Sequence, residues 1–100
     1  MIKHVVMWRF KAEAEGNNAE KNKSLVAQKL QELTNAINGI ESLETGFDIN
    51  RSEAAYDLVL ITTHKNPDAL RNYQQHPDHI EVAAFIGKVV HERVVVDFEY

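Results

Sequence analysis

From Ile2 to Lys11 the even positions carry Ile2, His4, Val6, Trp8 and Phe10, while the odd ones carry Lys3, Val5, Met7, Arg9 and Lys11. A period of two sends successive side chains to opposite faces, so this segment predicts a strand with one strongly apolar face. The polar stretch Glu13 to Asn18, which contains Gly16, breaks the alternation. From about Ala19 to Ile37 the period changes, with Val26, Leu30, Leu33 and Ile37 at helical spacing among Lys, Gln and Glu. Asn38-Gly39 ends that helix, because glycine enters the left-handed conformation at no steric cost.

A second strand is expected from about Ile40 to Ile49, with Gly46 marking a bulge or a close backbone approach. Asn50 to Ala55 is a polar connection. Tyr56 to His64 predicts a third strand, and its run Leu58-Val59-Leu60-Ile61 implies burial on both faces. Asn66-Pro67 opens a short helix reaching Gln75, and His76-Pro77 starts a second helical piece ending near Gly87. Val90 to Tyr100 closes the chain as a fourth strand, with Val94, Val95 and Val96 filling both faces. The order is strand, helix, strand, strand, helix, strand. That is an α+β, ferredoxin-like βαββαβ arrangement with a four-stranded antiparallel sheet and its helices on one side, in a single domain over residues 1–100.

Helices on one side leave the other face of the sheet bare, yet the third and fourth strands are apolar on both sides. Val5 and Met7 of the first strand join that uncovered surface. An exposed apolar patch of this kind marks an interface. At roughly 25 cal/mol per Å² its burial favours association by several kcal/mol after the entropy of joining is deducted. A two-fold homodimer with the sheets packed face to face is therefore expected.

Composition narrows the class. With 44% hydrophobic and 26% charged residues the chain reads as an ordinary soluble domain, and no run approaches the ~20 apolar residues of a membrane helix. A formal charge of −4 argues against nucleic acid as the main partner. The lack of cysteine removes thiolate catalysis, disulfides and thiolate metal sites, and fits a cytoplasmic location.

Candidate chemistry concentrates in Tyr73-Gln74-Gln75-His76-Pro77-Asp78-His79. Pro77 suits the first position of a helix, which makes His76 the cap and puts His79 inside the first turn. There the positive end of the helix dipole favours a neutral imidazole, the form that accepts a proton. His79 reads either as a general base or as a ring fixing the loop. Tyr73 reads either as a hydroxyl orienting a carbonyl or as a half-buried aromatic. His4 shares a strand face with Trp8 and Phe10 and points into a core or pocket. Asp57, beginning an apolar strand, either pairs with His4 or His79 or is a solvated strand end. His64 and His91, at strand ends, are expected to be exposed. His76, Asp78 and His79 lack a further ligand at metal spacing, so no metal site is assigned and no cofactor is called for.

Together, Ile2-Lys3-His4-Val5-Val6, the segment Ile40 to Gly46, Tyr56-Asp57-Leu58-Val59-Leu60, Tyr73-x-x-His76-Pro77-x-His79 and Arg93-Val94-Val95-Val96-Asp97-Phe98 resemble the stress-responsive dimeric α/β barrel (Dabb) family across nearly the whole chain. The resemblance implies a dimer whose two sheets close into a barrel. Many members are stress-associated proteins of undefined activity, so the first expectation is a domain that binds a small, largely apolar molecule between sheet and helices. His4, Trp8, Asp57, Tyr73, His76 and His79 are its candidate contacts. Some relatives cyclise polyketide chains with a histidine base and a tyrosine partner, and His79, Tyr73 and His4 fall where those groups sit. The alternative expectation is therefore a cofactor-independent aldol-type cyclase or isomerase with His79 as base. This chain departs from the cyclases at Asp57, where they have another histidine, and at Leu30, where they have a tyrosine.

Overall fold

The computed structural model describes residues 1–100. In chain order it contains β1 (Ile2–Phe10), the short strands β2 (Glu13–Ala14) and β3 (Asn17–Asn18), α1 (Ala19–Ala36), β4 (Ser42–Phe47) and β5 (Leu58–His64). Helices α2 (Pro67–Gln75) and α3 (Pro77–Val89) follow, and β6 (Val90–Glu99) closes the chain. Four strands form one sheet in the order β4-β5-β1-β6, and every neighbouring pair is antiparallel. This is the ferredoxin-like arrangement expected, with three helices.

The alternation of β1 appears as burial. Ile2, His4, Val6, Trp8 and Phe10 are all buried, and all face the helices. Val26, Leu30 and Leu33 of α1, with Ile37 just beyond it, close over them together with Leu70, Tyr73, Ile86 and Val89. Side-chain caps set where α1 and α2 begin: Asn18 accepts the Lys21 N–H and Asn66 accepts the Ala69 N–H, each at 2.9 Å. Gly39, two residues after the Ile37 cap of α1, takes φ 94, the left-handed turn expected there.

Three features differ from the sequence reading. The polar stretch after β1 is a small hairpin, turned by Glu15 and Gly16 at positive φ, 52 and 78. The β4–β5 register runs unbroken through Gly46, so there is no bulge. The glycine instead permits a close approach, since a Cβ there would meet Val59 Cγ1 at 3.3 Å. The sheet's irregularity lies between Arg9 and Phe10 on β1. Val95 points to the helix side of β6 and Val94 and Val96 to the other, as expected, but on the helix side Arg93, Val95 and Asp97 stay exposed.

Cross-strand register fixes the other face. Val5 lies opposite Ile61 and Val96, Met7 opposite Val59 and Val94, and Lys3 opposite Phe98. No helix covers these side chains: Val96 is 62% and Phe98 44% exposed. The bare apolar surface that the strands predicted is present. No helix is long and apolar enough to cross a membrane.

Candidate functional site

Helices α2 and α3 meet at His76. Its backbone N–H reaches the Tyr73 carbonyl at 3.3 Å as α2 ends, and its carbonyl accepts the Ile80 N–H at 3.0 Å as α3 begins. Its Nδ1 accepts the Asp78 N–H at 3.1 Å, so the imidazole is the cap and Pro77 the first helical residue. One residue thus joins the last turn of α2 to the first turn of α3. The joint sets the Tyr73 and His79 rings edge to face, with centroids 4.6 Å apart.

Tyr73 is fully buried among three histidines, with His64 at 5.1 Å and His4 at 6.3 Å between ring centroids. Burial pushes its phenol up to about 12, so the hydroxyl keeps its proton at neutral pH. The Tyr73 hydroxyl, His79 Nδ1 and the Trp8 indole N–H are buried and have no hydrogen-bond partner. Unpaired buried polar atoms are costly and call for an explanation. Burial also depresses the basicity of His79 and favours its neutral form, with smaller contributions from His4 and Arg93. The Gln74 backbone opposes burial, and more strongly than either of those two residues contributes. Neutrality is the expectation at this helix start, and loss of water is the largest cause of it here.

His4 is held differently. Its Nδ1 lies 2.5 Å from Asp97 Oδ1, directly across the β1–β6 pairing. Nδ1–H donates to that carboxylate, which fixes the orientation of the ring on the cavity wall. The acid beside His4 is therefore Asp97 and not Asp57. Asp57 ties β1 to the start of β5, accepting the Phe10 N–H at 2.8 Å and donating its own N–H to the Trp8 carbonyl. His64 also departs from expectation. It is fully buried, with Nδ1 at 2.9 Å from the Gly39 carbonyl and Nε2 at 2.9 Å from Thr62 Oγ1, whereas His91 is exposed.

A partly enclosed cavity of about 180 Å³ lies between sheet and helices. His4, Val6, Trp8 and Leu60 line it from the sheet, and His79, Val82 and Ile86 from α3. Arg93 stands on β6 opposite Trp8 and also lines it. Of the sequence candidates, His4, Trp8 and His79 line this space, and Tyr73 packs against both histidines behind it. Asp57 and His76 do not line it, because both are engaged with backbone N–H groups at element ends. Val82 and Arg93 were missed. The signal for Arg93 was a charged residue in an otherwise apolar run. A wider groove of about 540 Å³ lies beside Met7 and Val59, at the edge of the bare face. No three His, Asp or Glu side chains converge to hold a metal ion.

The family model described as the stress responsive A/B barrel domain (Dabb) matches residues 2–100. A dimeric ferredoxin-like protein of unknown function from Thermobifida fusca YX superimposes with a TM-score of 0.83 at 26% identity, covering 99% of this chain and 90% of that one. An Arabidopsis thaliana protein gives 0.79 at 27% identity, covering 100% and 95%. A hydroxynitrile lyase from Passiflora edulis shares the fold at a TM-score of 0.83 and 17% identity, covering 97% and 90%. No curated protein matches the chain.

Proposed function

The chain belongs to the stress responsive A/B barrel domain family, and from that premise we propose that it is a cytoplasmic homodimer that binds a small, largely apolar molecule in the cavity between sheet and helices. One observation carries this reading: an apolar cavity of about 180 Å³ whose surroundings keep three buried polar atoms, on Trp8, Tyr73 and His79, without protein partners. An apolar cavity of about 150 Å³ accepts benzene, so the space suits a molecule of one ring or a short chain. Orphaned polar groups beside it would give such a ligand orientation, as a few polar groups do in small-molecule sites.

Trp8 is the sole tryptophan, so its fluorescence reports on this cavity. A neutral single-ring ketone such as acetophenone is expected to change that fluorescence saturably. The response disappears in Ala83→Phe, which fills the cavity from α3. An unsaturable response, the same in both proteins, would defeat the reading.

A second reading is favoured by the pairing of a neutral His79 with a protonated Tyr73. In it His79 removes a proton next to a carbonyl, while Tyr73 and His4 position the oxygen or stabilise the enolate, without a cofactor. A hydroxynitrile lyase on the same fold is in keeping with such use of the scaffold. His79→Ala that still takes up acetophenone but no longer turns over a β-polyketone supports catalysis. Unchanged turnover removes His79 from the mechanism.

A further inference from the structure

We propose that the ligand is an acid: a small apolar carboxylate whose body fills the cavity and whose carboxylate pairs with Arg93 at its rim. The inference rests on the binding reading above and narrows it to one chemical class.

Arg93 is the cation among the cavity's lining residues apart from its histidines, and it is exposed. Register places it on the helix-facing side of β6, opposite Trp8 and two residues from Val95, which lies opposite Val6. The other arginines are engaged: Arg9 with Glu92, and Arg71 with Asp68. Arg51, in the loop before β5, does not line the cavity. Arg93 makes no ion pair and no side-chain hydrogen bond. The nearest acid on its strand face, Asp97, already accepts from His4 at 2.5 Å. A guanidinium with its donors free, beside apolar walls of Val6, Leu60, Val82 and Ile86, matches a molecule that is apolar at one end and anionic at the other. Its planar fork fits a carboxylate in two parallel hydrogen bonds.

The arrangement also divides the polar work. The carboxylate would occupy the rim, where water still reaches and desolvation is small. Deeper in, the walls are apolar apart from His4, Trp8 and His79, which suits an uncharged ring or chain bearing at most a hydroxyl or carbonyl.

Benzoate and benzamide are matched probes, equal in shape and different in charge. Titration of the intact protein, followed by amide shifts of Arg93, Val82 and Gly87, is expected to show benzoate binding about tenfold or more tightly than benzamide. Arg93→Gln, a change at an exposed strand position, should remove that preference, bringing benzoate to the affinity of benzamide in the same variant. The wild-type preference is informative even if the variant is unstable. Benzamide binding in the cavity as tightly as benzoate would overturn the carboxylate inference and leave the binding reading standing. If neither probe perturbs these amides, the binding reading fails and the inference with it.

Discussion

His64 ends β5, and a polar side chain at a strand end commonly meets water. Here the ring packs against Tyr73 and is bonded at both nitrogens. Nδ1–H donates to the Gly39 carbonyl, so Nε2 must accept from Thr62, which requires the neutral tautomer. Burial pushes its basicity below the ordinary histidine value of 6.5, and His79 is shifted in the same direction. Between the folded and unfolded values the unfolded chain binds more protons, so stability rises with pH across that window. The urea midpoint is expected to hold above pH 7 and to fall as pH drops from about 6.5 towards 5, before most carboxylates titrate. A flat midpoint over that range would mean that these rings tolerate a proton in the fold. The burial of His64 was not legible in the chain, because it depends on α2 folding back over a strand end. The partner of His4 was obscured for a similar reason: Asp97 is 93 residues away and becomes a neighbour only through β1–β6 pairing.

At the scale of elements, local chemistry was readable wherever a period or a cap is written in consecutive residues. The alternation of β1, the stripe Val26-Leu30-Leu33 and the His76-Pro77 start of α3 all appear where the pattern put them. The Glu15-Gly16 hairpin was not seen, since two-residue strands carry no periodicity to detect. Arg93 and Val82 were missed because the cavity they line depends on how α3 lies against β6, and no single-segment pattern encodes that. The joint between α2 and α3 invites a direct test. His76→Ala removes the acceptor of the Asp78 N–H and should cost about 1 kcal/mol, or roughly 4–8 °C in Tm for a domain of this size. His76→Asn, which caps as well or better, should recover most of that loss by differential scanning calorimetry. If Asn fails where His succeeds, the ring contributes through packing and not as a cap.

Across the whole molecule, a sheet with helices on one side leaves Met7, Val94, Val96 and Phe98 exposed on the other, beside half-buried Val5, Val59 and Ile61. Structural relatives from several organisms are described as dimeric ferredoxin-like proteins. A second copy meeting this surface face to face buries side chains that the helices leave in water. Val96→Lys places a charge near the middle of that patch, where desolvating it without a partner is costly. Sedimentation at micromolar concentration should show twice the chain mass for the wild type and a single chain for the variant, with the helical signal retained. Wild-type protein sedimenting as one chain would remove the dimer from the proposal.

Strand β6 sends Arg93 towards the cavity and Val94 and Val96 towards the bare face, in strict alternation along one ribbon. On the reading proposed above, one ribbon touches the ligand on one side and the partner subunit on the other. Thermodynamic reciprocity then requires that whatever assembly does to ligand affinity, the ligand does equally to assembly. Any change in guest affinity on dilution into the single-chain regime should be matched by an equal change in association when the guest is saturating.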